Sequence, residues 1–171
     1  MMNVEQSGDR DDADMLLLIK LLPSDGIEPL LVEWEIAARM RILKNMIEDV
    51  GFLDEAIPLP NVQGYVLKII LDYCEMHRTD DDSELIIETL EMDERDREFI
   101  ERHVKHIYRI MLAADYLEVQ SLIDLASKFI ANRIRGKTPK QNREFFRIES
   151  DFNAEEARQI MKENGWTEAE F

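Results

Sequence analysis

Residues 119–134 carry more apolar surface than one packing interface consumes. At about 100° per residue, a helix there aligns Val119, Ile123, Ile130 and Ile134 on one face, with Ser127 among them. Leu122, Leu125, Ala126 and Phe129 form a second stripe beside the first. Together the stripes cover roughly 200° of the helix surface, whereas a helix buried on one side needs a little over 100°. Such a helix either sits deep inside a large domain or covers its own core with one stripe and offers the other to a partner.

The residues that follow favour the second alternative. Gly136 ends the helix, and Thr138-Pro139-Lys140-Gln141 starts another, with Thr at the N-cap, Pro at the first helical position and Gln three residues after the cap. Asn153-Ala154-Glu155-Glu156 repeats that pattern, and the last helix stops near Gly165, just before Trp166. The large apolar side chains of this tail are Phe145, Phe146, Ile148, Phe152, Ile160, Met161 and Trp166. Their burial returns less free energy than the backbone entropy lost in ordering the segment. The tail must therefore dock on the preceding helices or be completed by another molecule, and a composite apolar groove that accepts a helical partner results.

The chain has 171 residues, 45% of them hydrophobic, enough for one domain with a modest core and an appendage. The net charge of −16 disfavours nucleic acid and anionic membrane surfaces as partners. Cys74 is the only cysteine, so no internal disulfide forms, which fits a reducing compartment, the cytoplasm or nucleus. The apolar run at residues 15–22 is interrupted by Lys20 and ends at Pro23; Asp9, Asp11, Asp12 and Asp14 before it argue against a signal peptide.

Residues 1–14 read as a loose acidic tail, residues 15–135 as the main domain and residues 136–171 as a helical extension. The run at 15–22 and a second strand at 27–32 flank Pro23-Ser24-Asp25-Gly26, a hairpin turn. Short helices are predicted at 33–39 and 42–50, the latter with a left-handed stop at Gly51. An extended segment follows at 56–60, then a helix capped by Asn61 and running to Met76, with Val62, Tyr65, Val66, Ile69, Ile70 and Tyr73 inward. Residues 80–98 carry ten acids and two arginines, and an acidic loop is predicted across 79–98, with a transient helical tendency around Leu85, Ile86, Ile87 and Leu90. The next helix, 103–117, turns Ile107, Ile110, Met111 and Ala114 inward.

Catalytic chemistry is hard to assemble from these residues. There is no glycine-rich phosphate loop and no Gly-x-Ser-x-Gly elbow. Cys74 with His77, and His103 with His106, are helical pairs without a recognised zinc spacing, so Cys74 reads as a core thiol and the histidines as surface residues. No metal and no cofactor are expected, and the chain reads as a protein that is not an enzyme.

Ile57-Pro58-Leu59-Pro60-Asn61-Val62, Ala113-Ala114-Asp115-Tyr116-Leu117 and Gly136-Lys137-Thr138-Pro139 resemble the Skp family, the S-phase-kinase-associated adaptors of SCF ubiquitin ligases. Ser24-Asp25-Gly26 and Asn164-Gly165-Trp166 fit the same resemblance, which extends from about Leu18 through Trp166. It implies an α+β, mostly helical chain: a BTB/POZ fold, a small sheet covered by helices, followed by two C-terminal helices that complete an F-box-binding surface. By matching position, that surface would use Met111, Ile123, Ser127, Ile130 and Ile134, closed by Phe146, Ile148 and Trp166. Cullin contact would fall on Asp115 and Tyr116, with Met46 nearby. Asp115 stands where the family has an amide, and Ser127 where it usually has cysteine, which suggests a divergent paralogue with altered partner choice. A carboxylate at 115 needs a basic group or solvent beside it.

The resemblance implies a non-catalytic adaptor that bridges F-box substrate receptors to a cullin for ubiquitin-dependent protein degradation. The alternative is a scaffold that pairs with a second copy through its BTB or F-box-binding surface.

Overall fold

Alternation along one strand sets the sheet. In the computed structural model, which describes residues 17–80 and 90–171, Ile19, Leu21 and Pro23 of β1 (Leu18–Pro23) point into the core while Leu18 and Lys20 face out. The tail expected at 1–14 and the helical tendency at Leu85, Ile86 and Ile87 lie outside the described residues. β1 pairs antiparallel with β2 (Leu30–Glu33), Ile19 opposite Val32 and Leu21 opposite Leu30. β2 starts later than predicted because Pro29 has no N–H to give the ladder, and Ile27 is left in solvent. β3 (Ile57–Leu59) runs parallel to β1 on its other side, giving the order β2-β1-β3. Parallel pairing needs a crossover, supplied by α1 (Trp34–Ala37) and α2 (Arg41–Val50). Gly51 ends α2 with φ 82° but ψ 177°, an extended mirror conformation open to glycine rather than the left-handed helical stop expected.

α3 (Gly64–Met76) is the central helix, and it starts later than the sequence suggests. Asn61 does not cap it, and the Gln63 side chain at the N-cap position makes no capping bond. The cap comes from the β1–β2 turn instead. Asp25 Oδ1 accepts a hydrogen bond from the Gly64 N–H at 2.6 Å, while the Ser24 N–H donates to the Val62 carbonyl at 2.8 Å. A carboxylate is thus held at the positive end of a helix that has no acid in its own first turn. α3 buries Cys74 as the core thiol expected and Leu67 in addition to the predicted positions, and Tyr65 is exposed, its ring 5.2 Å from that of His106. Packing against both α1 and α5 explains the wider buried arc.

The acidic run does not stay a loop to residue 98. α4 (Glu94–Arg102) begins inside it, with the Asp93 carboxylate accepting from the Arg95 N–H and Glu94 and Asp96 in the first turn, where the helix dipole favours anions. Phe99 and Ile100 anchor it in the core. His77 also departs from expectation. It is not a surface residue: it is only 7% exposed, and its Nδ1 and Nε2 engage Asp80 at 2.5 Å and Asp96 at 2.9 Å. This imidazole ties the residues after α3 to the start of α4. Burial pulls its pKa down, but the hydrogen bonds to Asp96 and Asp80 outweigh that and hold it above the usual 6.5.

After one 3₁₀ turn at Val104–His106 come α5 (Ile107–Leu117) and α6 (Gln120–Ile134), packed on each other, with α5 also against α3 and α2. α7 (Pro139–Phe146) and α8 (Ala154–Asn164) both start with the capping boxes read from the sequence, Thr138 with Gln141 and Asn153 with Glu156. α8 stops at Gly165, φ 69°.

Two measurements test these contacts. Asp25→Ala should lower the unfolding free energy by about 1 kcal/mol, read from urea denaturation, because it removes the charged cap from α3. His77 binds a proton more tightly folded than unfolded, so its clamp stabilises fully below about pH 6.5 and weakens as pH rises through the raised folded value. The urea midpoint should therefore fall as the pH is raised above about 6.5, and His77→Gln should flatten that slope.

Candidate protein-binding surface

α6 divides its apolar residues between two environments. Leu122, Leu125, Ala126 and Phe129 are buried against the rest of the domain. Ile123 and Ile130 touch that core but are only partly covered, Ser127 is exposed, and Ile134 is 37% exposed. Val119 leaves the open stripe: it is buried, because it occupies the N-cap, where a non-helical backbone turns it inward.

α5 widens this surface. Met111 is half-buried beside the core, while Tyr108 and Leu112 point outward, Leu112 with 73% exposure. Sequence reasoning missed Tyr108 and Leu112 as surface residues. Their i, i+4 spacing, on the side of α5 away from Ile110 and Ala114, was the available signal.

The tail reaches back to these helices through few side chains. Phe145 packs on the core, and the half-buried Phe146 ring lies 5.9 Å from Tyr108 and 5.0 Å from Phe145. Ile148 is 58% exposed. Trp166 is 37% exposed, and it stacks on Phe171 at 6.5 Å with an interplanar angle of 29°. Phe171 in turn approaches Phe152 at 6.0 Å and lies 4.9 Å from the Arg143 guanidinium. The last residues are held by a turn in which the Glu170 carboxylate accepts from the N–H and Oγ1 of Thr167, and the Glu170 carbonyl accepts from the Lys140 N–H at 3.1 Å. Those hydrogen bonds hold the Glu170 carboxyl below its ordinary pKa. Phe152 and Phe171 thus support Trp166, a role the sequence reading did not assign to them. Yet neither α7 nor α8 buries a single residue. The side-chain acceptors Asp124 Oδ2 on α6 and Asn142 Oδ1 on α7 also lack a hydrogen-bond partner among the described residues.

A second surface lies where α2 meets the end of α5. Met46 and Tyr116 are each half-buried against the core, and Asp115 is exposed, so solvent meets the need that a carboxylate at this position creates. Arg41 Nε donates to Glu118 Oε2 at 2.6 Å across the two helices. Glu118 ends α5 in the left-handed region, φ 57°, and the Val119 N–H closes the turn on the Ala114 carbonyl at 2.8 Å. α5 therefore stands between α2 and α6 and carries residues of both surfaces.

Comparison with known proteins agrees with this architecture. Residues 17–79 match the family described as "Skp1 family, tetramerisation domain", and residues 120–167 match "Skp1 family, dimerisation domain". The sheet and its covering helices are accordingly a BTB/POZ-like fold. The chain is 40% identical over 156 residues to "E3 ubiquitin ligase complex SCF subunit sconC" of Arthroderma otae, covering 88% of this chain and 94% of that protein. It is 40% identical over 155 residues to the protein of the same name from Aspergillus fumigatus, covering 88% and 98%. It is 41% identical over 157 residues to "Suppressor of kinetochore protein 1" of Schizosaccharomyces pombe, covering 88% and 97%. With both halves matched and the identity spread over nearly the full length of each relative, the chain belongs to the Skp1 family.

Proposed function

We propose that this protein is a non-catalytic adaptor of an SCF-type E3 ubiquitin ligase, joining F-box substrate receptors to a cullin scaffold, with the cytoplasm and nucleus as its setting. Relatives whose names make them SCF ubiquitin ligase subunits support the reading. The observation that carries it is the half-open apolar stripe of α6 beside a two-helix tail that buries nothing of its own.

An F-box helix laid along Ile123, Ser127, Ile130 and Ile134, flanked by Met111, would remove that stripe from water. Phe146, Ile148 and Trp166 would then close over it, and affinity would come from a few large apolar anchors. The Asp115, Tyr116 and Met46 surface would take the cullin. Because α5 packs on α2 and α6 alike, one helix would hold receptor and scaffold at a set separation. An adaptor needs that geometric constancy, since ubiquitin transfer depends on where the receptor presents its substrate.

A second reading, pairing of two copies, draws support from the same open stripe and from the "dimerisation" and "tetramerisation" in the family descriptions.

Ile130→Asp should weaken binding of an F-box domain by about 100-fold in calorimetry, as loss of an interface anchor does. The circular dichroism spectrum and cullin binding should be retained, because Ile130 is only partly covered in the isolated protein. Tyr116→Lys should do the reverse, abolishing cullin binding and sparing F-box binding; equal loss of both would contradict two separate surfaces. For pairing, sedimentation should show any dimer dissociating when an F-box domain is added, because both occupants would use α6.

A further inference from the structure

One end of the apolar surface carries a charge opposite to that of the rest of the protein. Between residues 133 and 147 there are six cations, Arg133, Arg135, Lys137, Lys140, Arg143 and Arg147, against the single carboxylate of Glu144, in a chain of net charge −16. Two of the six have internal work. Arg133 pairs with Glu101 at 3.0 Å and lies over the Phe129 ring, and Arg143 lies over Phe171. Arg135, Lys137, Lys140 and Arg147 are exposed and have no carboxylate partner among the described residues.

Folding alone accounts for only two of these four. A cation after the end of α6 is favoured by the helix dipole, which covers Arg135 and Lys137. Lys140 sits in the first turn of α7, where the same dipole disfavours a cation. Arg147 occupies a left-handed position, φ 54°, that suits glycine or asparagine better. Three of them adjoin the apolar surface in the chain: Arg135 and Lys137 follow Ile134 within three residues, and Arg147 lies between Phe146 and Ile148, while Lys140 stands between them in the first turn of α7.

We propose that Arg135, Lys137, Lys140 and Arg147 form a basic rim that selects F-box partners carrying carboxylates beside the apolar residues that fill the groove. The inference rests on the adaptor reading and adds the charge of the preferred partner to it. Apolar contacts hold any such helix with similar strength, whereas a rim of one sign speeds the encounter and discriminates between partners that are otherwise alike. Nucleic acid and anionic membranes carry the right charge, but a chain this acidic repels both at long range.

The test uses the full chain and one F-box domain in two versions, alike at every apolar position and carrying either glutamates or glutamines at the exposed positions bordering its apolar helix. The wild-type protein should bind the glutamate version about tenfold more tightly at about 0.05 M salt, and most of that preference should vanish at about 0.5 M salt. The combined variant Arg135→Gln, Lys137→Gln, Lys140→Gln and Arg147→Gln should bind both versions within about twofold of each other. It should hold the glutamine version as tightly as wild type does, which also shows that it folds. Equal binding of both versions by the wild type, or undiminished preference in the variant, overturns the basic rim while leaving the adaptor reading standing. Binding of neither version overturns the adaptor reading and the rim with it. Should the variant instead lose binding to phosphatidylserine vesicles, or lose self-association in sedimentation, with its F-box preference intact, the rim serves a different partner and the proposal fails.

Discussion

The packing of Leu122, Leu125, Ala126 and Phe129 onto the core fixes what α6 can show to solvent. A helix is a rigid cylinder at this length, so seating one stripe sets the orientation of its neighbour. With those four residues inward, Ile123 and Ile130 are caught at the edge of the core, partly covered and partly open. α5 supplies the opposing wall and is itself held by α3 and α2. The open stripe is therefore not a loosely packed region; it is the unavoidable flank of a well-packed one. A surface built this way is pre-organised, so little ordering entropy remains to be lost when a partner covers it.

The tail follows a different physical logic. Its helices are defined by local hydrogen bonds: both capping boxes are complete, and Gly165 ends α8 in a left-handed turn. Those bonds decide where each helix begins and stops, but they do not hold it against anything. Phe145 on the core and Phe146 against Tyr108 join it to the rest, while the cluster of Phe152, Trp166 and Phe171, the Arg143 guanidinium over Phe171 and the Lys140 N–H on the Glu170 carbonyl join it to itself. Low burial combined with strong local signals is what a segment needs if it is to close over a partner and still release it.

Charge is segregated rather than spread. Acids dominate the run that leads into α4, where Asp93, Glu94 and Asp96 meet the positive end of a helix and His77 gathers two carboxylates in a nearly buried site. Cations gather at the junction of α6 and α7. The two regions approach each other through Arg133 and Glu101, and through Asn132, which donates to the Leu90 carbonyl at 2.8 Å. An acidic molecule with one basic edge presents partners with a directional field, and this orients an encounter more than it strengthens the final complex.

The sequence by itself determined the features that depend on near neighbours. The two stripes of α6, the capping boxes at Thr138 and Asn153 and the stop at Gly165 were all legible, because helical periodicity and capping act over a few residues. Tertiary structure alone decided the rest. Asp25 caps α3 from a turn 39 residues away, displacing the expected role of Asn61. His77 became buried because Asp96, 19 residues later, arrives on a helix the charge pattern argued against. Val119 turned inward because the connection between α5 and α6 bends tightly after Glu118. In each case the deciding contact joins residues whose nearness exists only once the chain has folded, and no local pattern encodes it.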